Sequence, residues 1–197
     1  VQVETLIDFW EQNQHLATPF GWLRGRSFSD AFVICIGAGP WKFNRRKNIQ
    51  GRALKILNGR DLVSLSEDEI VQMYPLQWQR SFIKTAVYNL TDPNSAWKKS
   101  DFDIFCARKP PIGRRIMLSL VGSSSTKVIS LFCRDALKVP SFPIDRHVRR
   151  KLIELGLPAD EDKMIDLCEE AGIDPRKVAV AFVRAASDMD NPDWSVG

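Results

Sequence analysis

Apolar residues recur every three or four positions along most of this chain. Val3, Leu6, Ile7 and Trp10 keep one helical face at the N-terminus, and Trp78, Phe82, Val87 and Leu90 keep another within LQWQRSFIKTAVYNL. Stop and start signals bracket further helices. Ser66, with Glu69 three residues on, is a capping box at the head of SEDEIVQM. RRIMLSLVG ends at Gly122, a C-terminal cap. Asp145 precedes RHVRRKLIELGL, which stops at Gly156 with Pro158 beyond. DEDKMIDLCEEAG follows, and then Asp174 caps a helix that Pro175 opens. FSDAFVICIGAG is apolar throughout after its Ser/Asp start; with no partner strand pattern in the chain, it reads as a buried helix. Nothing alternates with period two for long, and there is no internal repeat or low-complexity linker. The pattern predicts an all-α protein of roughly nine or ten short helices.

Composition adds limits. The chain has 197 residues, 44% of them hydrophobic and 26% charged, which is enough to bury a core without disulfide staples. No run of about 18 apolar residues occurs, so no membrane span is expected. The N-terminal VQVETLIDFWEQ is acidic and amphipathic, unlike a signal peptide. Cys35, Cys106, Cys133 and Cys168 are isolated, each in apolar surroundings, with no CxxC pair. They read as buried free thiols of a reducing, intracellular compartment and predict no metal site.

The net charge of +4 matters less than its distribution. Residues 41–55, WKFNRRKNIQGRALK, contain no acid, and RKPPIGRR and RHVRRK are further basic clusters. Acids gather near the C-terminus in DEDKMIDLCEE and SDMDNPDW. Such a division predicts one face suited to a polyanion.

The stretch VGSSSTKVISLFCRDALKVPSFPIDRHVRR carries the candidate chemistry. Lys127 opens a helix expected over residues 126–137, with Val128, Ile129, Leu131 and Phe132 behind it. Taken alone it is either a solvated edge residue or a reactive amine. A twelve-residue helix runs roughly 16–18 Å. KVPSFPI is too proline-rich to be helical, and seven extended residues span up to about 25 Å. The chain can therefore double back and bring Asp145 close to Lys127, eighteen positions earlier.

Residues 120–150 resemble the helix-hairpin-helix DNA glycosylase superfamily. In its bifunctional members a lysine opens the second hairpin helix and an aspartate lies about eighteen residues on; Lys127 and Asp145 fall in that register. IDRHVRR is similar to archaeal-type 8-oxoguanine glycosylases, and TKV to the eukaryotic type. Where the family hairpin reads LPGVGxK, this chain reads VGSSSTK. Only Cys168 follows Asp145, so the four-cysteine iron–sulfur cluster of many endonuclease-III-like members has no ligand set here. The resemblance implies a two-lobed helical fold. Residues 1–30 and 151–197 would form a terminal lobe, and residues 31–150 a central lobe with its hairpin at 112–137.

The resemblance also implies an activity. A monomeric enzyme, needing no cofactor or metal, would act on double-stranded DNA containing a damaged base, 8-oxoguanine before others. Lys127 would attack the sugar C1′ and form a Schiff base, and the Asp145 carboxylate would stabilise the positive charge that builds there. Gly122, Ser123, Ser124, Ser125 and Thr126 would cradle a phosphate. Arg45, Arg46, Arg114, Arg149 and Arg150 would track the DNA backbone. An extruded base would need a pocket, for which Trp41, Phe43, Asp190 and Trp194 are candidates. His147 reads as structural rather than catalytic. Other readings stay open: a glycosylase for oxidised pyrimidines or mismatched bases, a non-catalytic helix-hairpin-helix DNA-binding module, or a helical interaction protein with basic patches.

Overall fold

A computed structural model describes residues 1–39, 42–94, 122 and 127–187, the side chain of Phe43 excepted. Among these residues there are helices and turns and no strand. The α-helices are α1 (Gln2–Asn13), α2 (Phe28–Ile36), α3 (Phe43–Leu57), α4 (Glu67–Met73), α5 (Gln77–Thr91), α6 (Lys127–Phe132), α7 (Arg146–Glu154), α8 (Glu161–Glu170) and α9 (Pro175–Ser187). The expected caps are seen: Ser66 and Glu69 form the capping box of α4, and Asp174 accepts from the Arg176 amide at the head of α9. The helix expected over RRIMLSLVG lies outside the described residues. No described helix is long and apolar enough to cross a membrane.

The helix α2 runs through the middle of a first hydrophobic cluster, its residues from Ala31 to Ile36 at most 2% exposed. A helix apolar on every side has no water for its last carbonyls, so other side chains must satisfy them. Tyr74 Oη donates to Val33 O at 2.8 Å, Gln50 Nε2 to Ile34 O at 2.9 Å and Gln79 Nε2 to Ile36 O at 2.8 Å. These polar clamps come from the α4–α5 junction, α3 and α5. They fix the end of α2, beyond which Gly37 lies so close to α3 that a Cβ there would stand 2.9 Å from Gln50 Cγ.

The helix α3 is absent from the elements that apolar periodicity picks out. Its sequence is strongly basic, and its apolar stripe begins only at Ile49; Ile49, Gln50, Ala53 and Leu57 are buried, with Leu54 and Ile56 packed partly buried on the same cluster. A second cluster joins α1, α7, α8 and α9 around Leu6, Phe9, Phe142, Leu152, Met164 and Phe182. Phe182 stacks on Phe9 with ring centroids 3.9 Å apart and meets Phe142 edge-on at 5.6 Å. The two clusters meet along α9, where Val180 belongs to the first, Phe182 to the second, and Val183 packs on both.

After Phe132 the helix of Lys127 widens into a π turn over Cys133–Leu137, closed by Lys138 in the left-handed region (φ 60°). Cys133, Arg134 and Asp135 are buried in succession there. Residues 139–145 then run outside any helix to α7, as the prolines predict. One carboxylate ties this strap to α6. Glu161, the first residue of α8, accepts from Ser130 Oγ at 2.5 Å and from the Phe142 amide at 3.0 Å, while Ser141 Oγ donates to Ser130 O at 3.0 Å.

Candidate active site

A cavity of about 180 Å³ opens where α3, α6, the strap, α7 and α9 converge. Its apolar wall comprises Phe20, Trp22, Ala38, Leu131, Pro143 and Val183. Set among these are Arg46, Lys127, Arg134, Asp145, His147 and Ser187. The chain thus returns along α6 and places Lys127 and Asp145 in one cavity.

Lys127 is the first residue of α6 and half-buried. Burial holds its amine below the ordinary lysine range; the Asp145 carboxylate opposes that shift, while the Arg46 and Arg146 guanidinium groups add to it. The amine therefore carries a larger neutral fraction than a solvated lysine. Asp145 caps α7, its Oδ1 accepting from the amides of His147 and Val148, each at 2.8 Å. Those two bonds fix the carboxyl plane. The Arg46 guanidinium is likewise held low by burial, with Asp145 opposing.

The far wall is built on a buried ion pair. Arg134 Nε donates to Asp135 Oδ1 at 2.7 Å and Arg134 Nη2 to Asp135 Oδ2 at 2.8 Å. Trp22 Nε1 donates to the same Oδ2 at 2.7 Å, so the 20–22 segment is pinned to the π turn. The Phe20 ring lies under two guanidinium groups, Arg184 at 4.4 Å and Arg134 at 5.1 Å from its centroid.

Not every residue singled out in the sequence meets at this cavity. Arg46 lines it, whereas Arg45, Arg149 and Arg150 are exposed on α3 and α7. Gly122 is exposed with φ +64°, a backbone conformation suited to glycine. Phe43 begins α3. Ser123, Ser124, Ser125, Thr126, Arg114, Trp41, Asp190 and Trp194 lie outside the described residues. Phe20, Trp22, Arg134 and Ser187 were not anticipated. The signal for Arg134 is present in the sequence: Lys127, Leu131 and Arg134 are spaced i, i+4, i+7, one helical face, and all three line the cavity.

Cys35, Cys133 and Cys168 are buried free thiols, the first raised well above the ordinary range by burial and the last pushed up to about 12. Among the described residues no group of three or more His, Cys, Asp or Glu side chains is placed to hold a metal ion.

No model of a known protein family matches the sequence. No curated protein matches it either. Among solved structures, the crystal structure of the 8-oxoguanine DNA glycosylase of Thermotoga maritima superposes with a TM-score of 0.60 at 18% identity, covering 96% of this chain and 98% of that one. The chain has the all-helical fold of a DNA glycosylase, as the resemblance in residues 120–150 implies.

Proposed function

We infer that this protein is a DNA base-excision repair enzyme, a bifunctional glycosylase and abasic-site lyase. It flips a damaged base out of the duplex and removes it through a Schiff base on Lys127. The observation that carries the reading is the shared cavity of Lys127 and Asp145, with the amine held toward neutrality among apolar walls.

Size agrees with the assignment. Engineered cavities of about 150 Å³ hold a benzene ring. A cavity of about 180 Å³ suits a planar base and is too small for a whole nucleotide. With the base inside, C1′ of its sugar comes to the lysine. The neutral Nζ attacks C1′, the N-glycosidic bond breaks, and its electron pair leaves with the base, which takes up a proton. Positive charge grows on the sugar in the transition state, and the fixed Asp145 carboxylate stabilises it there. The amine then gives up one proton, and the C1′–O4′ bond breaks with O4′ taking up a proton, which leaves the iminium R–NH⁺=C1′. Removal of a C2′ proton then expels the 3′ phosphate by β-elimination, and water releases the enzyme.

The leading substrate is 8-oxoguanine, by resemblance and by the fold shared with a glycosylase described as acting on it. The direct test is a single-turnover panel on duplexes carrying 8-oxoguanine, thymine glycol, uracil, hypoxanthine or a G·T mismatch, with borohydride trapping in parallel. 8-Oxoguanine should be cut fastest, with strand scission following excision, and Lys127→Gln should abolish the trapped adduct. A tenfold preference for thymine glycol or the mismatch rejects the oxidised-purine assignment. Duplex binding with no excision of any base, and no adduct, would leave a DNA-binding module.

A further inference from the structure

Arg134 has a donor that nothing described in the protein uses. Its side chain is 3% exposed. Nε and Nη2 are spent on Asp135, but the buried Nη1 has no hydrogen-bond partner among the described residues. A guanidinium carries five N–H donors, and burying one unsatisfied costs stability unless a ligand completes it. Arg134 also lines the cavity that holds Lys127 and Asp145.

The helix sets which part of a ligand it meets. Seven residues of helix advance about 10 Å, so Arg134, in the π turn that continues α6, stands roughly that far along the chain axis from Lys127, and both line the one cavity. When C1′ of a flipped nucleotide is at the lysine amine, C8 of a purine lies near the sugar. The six-membered ring and its C6 substituent point to the far end. Leu131, between the two, covers the ring and offers no polar group. The Asp135 carboxylate, bonded at both Nε and Nη2, holds the guanidinium in one plane, so Nη1 is a fixed donor.

We propose that Arg134 is a specificity-determining residue that donates from Nη1 to the C6 carbonyl of the extruded purine. It thereby selects 6-oxo purines, such as 8-oxoguanine, over 6-amino purines, such as 8-oxoadenine. This rests on the glycosylase reading above. An amino group at C6 would set donor against donor and leave the guanidinium unsatisfied, the arrangement by which a buried polar site rejects a near-isostere.

The test uses the full chain with 8-oxoguanine and 8-oxoadenine opposite the same base. Each excision rate is divided by the rate of borohydride trapping on an abasic site, which has no base to read. Wild type should prefer 8-oxoguanine, and Arg134→Met should lower its normalised excision about 10- to 100-fold, the range for a hydrogen bond to a charged group. The 8-oxoadenine value should move less than threefold, so the preference collapses. Arg134→Lys, which keeps a cation beside Asp135, should show the same collapse and carries the test if the methionine variant does not fold. Equal slowing of both substrates, or an unchanged preference in the lysine variant, overturns the assignment. A wild-type protein that excises neither base and traps no abasic site overturns instead the glycosylase reading on which it rests.

Discussion

At the scale of single residues, the protonation of Lys127 makes the sharpest demand. In the proposed mechanism attack needs the neutral amine, so trapping on a preformed abasic site should rise with pH and level off above the lysine's own pKa. That limb should lie below the ordinary lysine range, because burial lowers the value. Its two neighbours act in opposite directions. Asp145→Asn removes the charge that holds the lysine pKa up, so the limb should move to lower pH; Arg46→Gln removes one that holds it down, so the limb should move to higher pH. Asparagine keeps an oxygen for the His147 and Val148 amides, so helix α7 should stay capped while base excision falls by about 10²- to 10³-fold. A limb that stays put, or moves upward, in Asp145→Asn would reject this electrostatic picture. The same shift has a thermodynamic side. The folded pKa lies below the unfolded one, so between the two the unfolded chain binds more protons, and stability rises with pH through that window. Lys127→Met should therefore melt at or above wild type at neutral pH, the difference closing in alkali.

At the scale of elements, the site depends on how α6 and the strap are held together. Two features bring Asp145 back: prolines that keep 139–145 out of any helix, and Glu161, which bonds to both Ser130 on α6 and Phe142 on the strap. Glu161→Gln turns one acceptor into a donor facing a donor. It should cost about 1–3 kcal/mol, read as a lower urea midpoint with an unchanged slope. An unchanged midpoint would mean that the strap is set by Phe142 packing alone. The prolines and the caps at Ser66, Asp145 and Asp174 were legible because each is a local rule. The Glu161 tie was not, since its partners lie 31 and 19 residues away and its sequence context is an acidic helix start. The helix α3 escaped for a different reason: between Phe43 and Ile49 it is wholly polar and mostly basic, so its apolar stripe covers only the second half. Phe20 and Trp22 belong to a turn whose role is set by long-range contacts: Trp22 donates to Asp135, 113 residues on, and Phe20 lies under Arg134 and Arg184.

At the scale of the whole molecule, helices that line the cavity also carry exposed arginines. Asp145 and His147, at the start of α7, line the cavity, and the next turn of the same helix exposes Arg149 and Arg150. Arg45 is exposed at the start of α3, beside the cavity-lining Arg46. The acids lie elsewhere: α8 exposes Asp166, Glu169 and Glu170. A net charge of +4 would give only weak attraction if spread evenly. Under the proposed function, the exposed arginines of α3 and α7 would give a phosphate backbone its docking surface before any base is extruded. Each phosphate neutralised on duplex DNA contributes about −0.9 to the slope of log affinity against log salt. Replacing Arg149 and Arg150 together by glutamine should therefore make the slope shallower by about two, measured between roughly 50 and 200 mM salt on an abasic-analogue duplex. Glu169→Gln with Glu170→Gln, on the opposite charge cluster, should leave the slope as it is, though removing two acids raises the net charge by the same amount. If the acidic pair changes the slope as much as the basic pair does, net charge governs binding and α7 is no phosphate-tracking helix. If only the arginines change it, the helix that carries Asp145 is also the one that tracks the phosphate backbone.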